Sequence, residues 1–144
     1  MKAKEYLMQY RLLKEQLNDL ESQIEELNAE AEAVRIKLDD MPRGSNLSDR
    51  TAKLAVSIAD LTLRTINTRD SILAKRDEIS EALRGLSDRT QYQVLYKRYI
   101  EGKRWEEIAV ETGYTYRSVT RIHGRGLENV QRAIDGGGSC PIMS

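Results

Sequence analysis

A heptad repeat of apolar residues near the N-terminus constrains the fold of this chain more than any other feature of its sequence. Apolar side chains recur there in alternating steps of four and three residues, which is the pattern of a coiled-coil helix. Acidic side chains occupy many of the positions between them, as on a solvated helix face. The residues of this apolar seam are Tyr6, Tyr10, Leu13, Leu17, Leu20, Ile24, Leu27, Ala31, Val34 and Leu38.

A second helix of the same length is predicted after a short turn. Pro42 disfavours helix at the residue before it, and Gly44 permits a reversal of the chain. The two helices are predicted over residues 3–40 and 48–85, with Ser48 as the N-cap of the second. Because two helices of equal length joined by a short loop can pack along their whole length, we predict an antiparallel helical hairpin. The seam of the second helix is Leu54, Ile58, Leu61, Thr65, Thr68, Ile72, Ile79 and Leu86.

The first half of the second helix is apolar over more of its surface than one partner helix covers. Its polar positions form one narrow stripe, made of Lys53, Ser57, Asp60 and Arg64. A single partner covers only about 100° of a helix surface, so the remaining face predicts self-association as a dimer. The alternative is that another protein, or the C-terminal part of the same chain, covers this face. The predicted oligomerisation residues are Ala52, Ala55, Val56, Ala59, Leu63 and Ile66.

The C-terminal segment differs from the predicted hairpin in composition and in charge. Six of the eight aromatic residues lie in the 25 residues between Tyr92 and Tyr116. Residues 1–41 carry a net charge of −4 and residues 86–134 carry +3, within a chain whose net charge is zero. These contrasts indicate two functional parts. The predicted divisions are a hairpin at residues 1–86, a small domain at 87–135 and a flexible tail at 136–144.

Three short helices are predicted in the small domain, which makes the whole chain all-α. Ser87 or Asp88 caps the first of them, and Gln91 lies at the reciprocal position of a capping box. The second runs from Trp105 to residue 112, and Thr115 caps the last. Each of these signals is local, and together they define where the helices begin.

The last two helices carry the spacing of a helix-turn-helix. Ala109 is small where a second helix crosses above it, and Gly113 permits the turn. Val119 and Ile122 hold the last helix against the one before it. Residues 114–134 contain four arginines and one acidic residue, and arginine binds both guanine edges and phosphates. This pattern predicts binding of double-stranded DNA by Thr115, Tyr116, Arg117, Ser118, Thr120, Arg121 and Arg125.

Residues 94–130 resemble region 4 of the sigma-70 family, which reads promoter DNA. The residues that carry this resemblance are Leu95, Arg98, Tyr99, Gly102, Glu107, Ile108, Ala109, Gly113, Val119, Ile122, Arg125 and Leu127. The whole chain is also similar to the ArpU- and RinA-like regulators of phage late transcription. The resemblances imply a phage-encoded transcriptional regulator in the cytoplasm of a bacterial host, with DNA and host RNA polymerase as partners. Arg104 departs from the sigma pattern, which usually has Ser or Thr there, and no promoter-melting aromatic segment is present in the sequence.

Two other classes of protein also fit this organisation. The small subunit of a phage packaging terminase combines a helix-turn-helix with a coiled coil, although it normally has the DNA-binding part first. A structural or protein-interaction module is the other alternative, because the charge of +3 on residues 86–134 is modest for a nucleic-acid-binding domain. Occupancy of a late promoter, of a packaging site or of no DNA in the host distinguishes the three.

An enzyme is the class of protein that the sequence favours least. No nucleophile–base pair, carboxylate pair or phosphate-binding loop is recognisable, so neither catalysis nor a cofactor is expected. His123 and Cys140 are the single residues of their types, too few for a zinc site or an internal disulfide. No apolar run approaches the ~20 residues that span a bilayer, so no contact with a membrane is expected.

Several residues near the predicted DNA-binding surface have more than one interpretation. Trp105 is predicted to anchor the core, and Tyr116 either contacts DNA or packs against the protein. We expect His123 to be exposed to solvent or to contact a phosphate. Gly124 and Gly126 either let the backbone approach a phosphate or mark a frayed helix end.

Overall fold

A computed structural model of the chain describes residues 2–40 and 47–136, and these residues are all-helical. The all-α class is therefore confirmed for the described part of the chain. None of the described helices is both long and apolar enough to cross a membrane. The predicted turn at Pro42 and Gly44 lies outside the described residues, as does the predicted tail from residue 137 onward, including Cys140. The five helices are α1 (Ala3–Asp39), α2 (Leu47–Arg84), α3 (Arg89–Tyr99), α4 (Trp105–Thr112) and α5 (Tyr116–Asp135).

The ends of the short helices follow the local signals in the sequence. Asp88 is the N-cap of α3, and its Oδ1 accepts hydrogen bonds from the backbone N–H groups of Thr90 at 2.8 Å and Gln91 at 3.2 Å. Gly113 ends α4 with a φ of 79°, in the left-handed region that favours glycine. The prediction for Ser48 is wrong, because α2 already begins at Leu47 and Ser48 lies inside its first turn.

The described residues divide into two compact units, of which one comprises residues 14–71. Within it, most of the predicted seam of α1 is half-buried and Val34 is buried, while the positions between them are mostly exposed. Two ion pairs join α1 to α2: Glu30 pairs with Arg50, and Glu21 Oε2 lies 2.8 Å from Arg69 Nη2. As the residue number falls along α1 it rises along α2, so the paired segments run in opposite directions. Exposed ion pairs stabilise little, so burial of the seam carries most of the stability here.

The other compact unit contains residues 2–13 and 72–136, which are the two ends of the described chain. Leu7 of α1 and Ile79 and Leu83 of α2 are fully buried within it. The backbone N–H of Ala3 donates a hydrogen bond of 2.6 Å to Oε1 of Gln131 in α5. The start of α1 therefore packs beside α5, whereas the sequence divided the chain between residues 86 and 87, a boundary that stays a prediction.

The core of α3, α4 and α5 is built from a few fully buried side chains. Val94, Ile108 and Val119 contribute one residue from each helix and are inaccessible to solvent. Trp105, Ala109 and Ile122 are partly buried and pack against them. The packing positions predicted for Ala109, Val119 and Ile122 are thus ones that the structure buries, fully or in part.

Gly126 lies at a close contact between α5 and α3. A Cβ atom at this position would lie 2.9 Å from Cδ1 of Leu95, and Leu95 is itself fully buried. Gly124 has nothing within 4 Å of the equivalent position. Both interpretations offered for Gly126 are therefore wrong, because this glycine packs against another helix instead of facing a phosphate or a frayed end.

The two glycines make a matched pair of substitutions. Gly126→Ala inserts a methyl group against Leu95, which costs about 1–3 kcal/mol and outweighs a gain of about 1 kcal/mol in helix propensity. Gly124→Ala has only the propensity gain and should stabilise the protein by up to about 1 kcal/mol. Urea denaturation followed by circular dichroism measures both variants. Equal shifts in the same direction would contradict the close crossing at Gly126.

Candidate nucleic-acid interface

Local hydrogen bonds cap the first turns of α4 and α5. Oε1 of Glu107 accepts hydrogen bonds from the backbone N–H of Arg104 at 3.0 Å and from its Nε at 3.3 Å. The backbone hydrogen bond is the main reason that the pKa of Glu107 is lowered, and the side chain and charge of Arg104 add to it. Glu107 thereby satisfies the backbone N–H of the N-cap residue, which is the reciprocal half of a capping box. A Ser or Thr at the Arg104 position would instead accept a hydrogen bond from a backbone N–H in the first turn of α4.

Thr115 performs the corresponding function at the start of α5. Its Oγ1 accepts a hydrogen bond of 3.1 Å from the backbone N–H of Ser118 and lies 3.0 Å from the Ser118 hydroxyl. Thr120 donates its hydroxyl to the carbonyl oxygen of Arg117 at 3.0 Å. Thr115 and Thr120 thus donate their hydroxyl protons within the first turns of α5, whereas the Ser118 hydroxyl accepts the hydrogen bond from Thr115.

Three arginines form the outward face of α5. Arg117, Arg121 and Arg125 are all exposed. At about 100° per residue, Arg117 and Arg121 lie about 160° on either side of the buried Val119, and Arg125 lies about 120° from it. Within the described residues no hydrogen bond or ion pair engages the guanidinium groups of these three residues. The face opposite the core therefore presents three unneutralised positive charges at intervals of one helical turn.

Tyr116 lies at the start of the same helix and keeps 52% of its surface exposed. It therefore does not belong to the buried core, and its ring is available to a partner. The structure thus brings the seven predicted DNA-binding residues together within the first three turns of α5. Only Ser118 and Thr120 among them are partly buried.

The lysines near α4 do not add to this positive face. Lys97 Nζ lies 2.7 Å from Oε1 of Glu111, and Lys103 Nζ lies 2.5 Å from Oε2 of the same carboxylate. These contacts, chiefly that of Lys103, lower the pKa of Glu111. Because one carboxylate neutralises part of the charge of two lysines, the arginines of α5 dominate the local positive potential.

His123 is half-buried and its imidazole contacts other side chains of the protein, so the expectation of an exposed or phosphate-contacting imidazole is wrong. Its Nε2 is hydrogen-bonded to the hydroxyl of Tyr99 at 2.7 Å, and the edge of the Trp105 ring lies against it with centroids 4.6 Å apart. Partial burial, together with the nearby positive charges of Arg98 and Lys4, lowers the pKa of His123 to about 4. The ring is therefore neutral at pH 7 and supplies no positive charge to a phosphate.

Trp105 packs against the core cluster, as the sequence predicts. The guanidinium carbon of Arg98 lies 4.4 Å from the centroid of its ring, within the range of a cation–π contact. Nη1 of Arg98 also donates a hydrogen bond of 3.1 Å to the carbonyl oxygen of Lys103. Trp105 and Arg98 together hold the loop between α3 and α4.

The predicted oligomerisation residues lie in the unit of residues 14–71, and all six are exposed there. Val56 keeps 70% and Leu63 keeps 62% of their surface exposed, which is unusual for large apolar side chains. On the polar stripe of α2, Arg64 Nε lies 3.0 Å from Oδ2 of Asp60. The apolar and polar faces of α2 are therefore distinct, and the apolar face is uncovered in the single chain.

One contact near the interface could not be predicted from the sequence. The heptad pattern of α1 indicates how it pairs with α2, but nothing in it indicates that Ala3 bonds to Gln131 in α5. The residues are 128 positions apart, and no local signal connects them. The start of α1 is therefore a neighbour of α5 that only the structure identifies.

Comparisons with protein-family models, with curated proteins and with solved structures found no match for this chain. The contacts and charges of the described residues are therefore the evidence for function, and the sequence resemblances to sigma region 4 and to phage regulators supply only a hypothesis about the partner.

Proposed function

We propose that the protein is a double-stranded-DNA-binding transcriptional regulator, built as a helical hairpin followed by a helix-turn-helix. In this proposal α4 and α5 are the two helices of the motif, and the left-handed Gly113 lies in the turn between them. The start of α5 enters the major groove, which is wide enough to admit one helix. The arrangement binds DNA and performs no chemistry on it.

The observation that carries the proposal is the unneutralised arginine face of α5. Arg117, Arg121 and Arg125 are exposed and face away from the core, so they can reach DNA without rearrangement of the fold. Guanidinium groups pair in bidentate fashion with O6 and N7 of guanine and also bind phosphates. A helix that presents arginines at successive turns, with neutral hydroxyl groups between them, fits the polyanionic and hydrogen-bonding surface of the groove.

Each residue of this face has a role that follows from its position. Arg117 and Arg121 lie nearest the start of α5 and directly opposite the core, so they are assigned to base edges. Arg125 lies one turn further on and to one side, and is assigned to a phosphate. Tyr116 is placed to contact a thymine methyl group or the sugar-phosphate backbone.

The biological setting of the proposal comes from the sequence resemblances. The likeness of residues 94–130 to sigma region 4 favours a promoter as the DNA target and host RNA polymerase as a protein partner. The likeness of the whole chain to phage late regulators favours a phage or prophage origin. A packaging protein and a purely protein-binding module are the alternatives, and no contact in the described residues favours either of them.

Substitution of the base-reading arginines tests the DNA proposal. Arg117→Ala and Arg121→Ala should each weaken binding to a duplex enriched from a randomised library by about 5- to 150-fold, which corresponds to about 1–3 kcal/mol. Arg64→Ala makes the same change of charge on the polar stripe of α2 and should bind as the wild type does. Fluorescence anisotropy with a labelled duplex measures all three affinities. Wild-type affinity in both α5 variants would show that α5 does not read DNA.

We also propose that the exposed apolar face of α2 is the contact surface of a homodimer. Ala52, Ala55 and Ala59 permit close approach of a second helix, and Val56 and Leu63 supply apolar area. A face of this kind left in water favours aggregation, so a second copy is the partner that satisfies it within one protein. A dimer carries two copies of α5 and therefore favours paired half-sites in the DNA.

Two charge-matched double variants test the dimer. Ala55→Glu with Ala59→Glu places two carboxylates on the apolar face and should convert a wild-type dimer into a monomer. Lys53→Gln with Ser57→Glu changes the net charge by the same amount on the polar stripe and should leave the dimer intact. Light scattering coupled to size-exclusion chromatography gives the mass, and circular dichroism confirms that helicity is retained. A monomeric wild type at micromolar concentration would contradict the dimer.

A further inference from the structure

The start of α1 lies along one side of α5, between the level of Gln131, which Ala3 contacts, and that of His123, whose pKa the charge of Lys4 lowers. The hydrogen bond from Ala3 N–H to Gln131 Oε1 measures 2.6 Å, and both Ala3 and Leu7 are buried. This segment is therefore fixed against α5 and belongs to the same compact unit. Lys4 follows Ala3 directly and its side chain is exposed.

The geometry of α5 shows on which side of the arginine face Lys4 lies. At about 100° per residue, Gln131 lies about 120° from the buried Val119 in one direction, and Arg125 lies about 120° from it in the other. Asn129, on the same side as Arg125, donates a hydrogen bond of 2.7 Å to Gln91 of α3. The start of α1 therefore borders the side of α5 opposite to Arg125 and α3, and Arg117 and Arg121 lie between the two sides.

A helix in the major groove has a phosphate backbone on each side of it. Arg125 is placed to contact the backbone on one side, and a second cation is needed on the other side for a symmetric grip. His123 cannot serve, because its ring is half-buried, uncharged at pH 7 and hydrogen-bonded to Tyr99. Lys97 and Lys103 cannot serve freely, because both pair with Glu111.

We propose that Lys4, from the first turn of α1, binds a DNA phosphate on the side of α5 opposite to Arg125. This inference rests on the proposed function of α5 and adds to it a residue that lies more than one hundred positions earlier in the chain. The ligand of Lys4 is a backbone phosphate of duplex DNA, so its contribution is independent of base sequence. The N-terminal helix thus takes part in DNA binding directly as well as pairing with α2.

The salt dependence of DNA affinity tests this assignment. Each phosphate contact contributes about −0.9 to the slope of log affinity against log salt concentration, measured between about 50 and about 200 mM salt. Lys4→Gln should reduce the magnitude of the slope by about 0.9 on a short duplex of random sequence, and Lys4→Arg should restore it. Lys53→Gln, an equal loss of charge at an exposed position on α2, should leave the slope unchanged.

The outcomes separate this inference from the function on which it rests. A steep wild-type slope that Lys4→Gln leaves unchanged would overturn the assignment of Lys4 while the proposal for α5 stands. A wild type that shows no salt-dependent affinity for any duplex would overturn both. Because Lys4 is exposed, Lys4→Gln should have the same melting temperature as the wild type, and circular dichroism checks that any lost affinity does not come from unfolding.

Discussion

The close crossing of α5 over α3 and α4 is the contact on which the candidate interface depends. Val94, Ile108 and Val119 meet at the centre of the three helices, and Gly126 lets α5 approach α3 so closely that a Cβ atom there would lie 2.9 Å from Cδ1 of the buried Leu95. Close packing of this kind disfavours rotation of α5 about its own axis. Packing of the apolar residues of α5 into the core therefore determines which of its residues face solvent. The arginines face outward because the apolar residues between them face inward.

The electrostatics of the chain are local, which is why a net charge of zero conceals a cationic face. Acidic residues concentrate on α1, and Glu111 pairs with Lys97 and Lys103 beside α4. The half-buried His123 is neutral at pH 7. The guanidinium groups of Arg117, Arg121 and Arg125 lack a carboxylate partner within the described residues, so the outward face of α5 keeps a local positive charge.

The features that the sequence could predict are those that depend on residues close together in the chain. The caps at Asp88 and Thr115 and the turn at Gly113 each involve hydrogen bonds or dihedral angles within a few positions, and all three predictions are confirmed. The roles predicted for His123 and Gly126 are wrong because the residues that they contact, Tyr99 and Leu95, lie on α3, more than twenty positions earlier in the chain. A half-buried histidine and a close-packed glycine do not appear in the hydrophobic periodicity of the sequence, so only the tertiary structure distinguishes them from surface residues.

Residue-resolved nuclear magnetic resonance can show whether the outward face of α5 contacts duplex DNA, as we propose. Isotope-labelled protein is titrated with a short duplex at low salt, and the backbone amide and arginine Nε–Hε signals are followed. If α5 contacts DNA, the largest shifts occur at residues 116–125, with the Nε–Hε signals of Arg117, Arg121 and Arg125 among them. Shifts confined to the exposed apolar face of α2, or no shifts at a duplex excess, would show that α5 does not contact DNA.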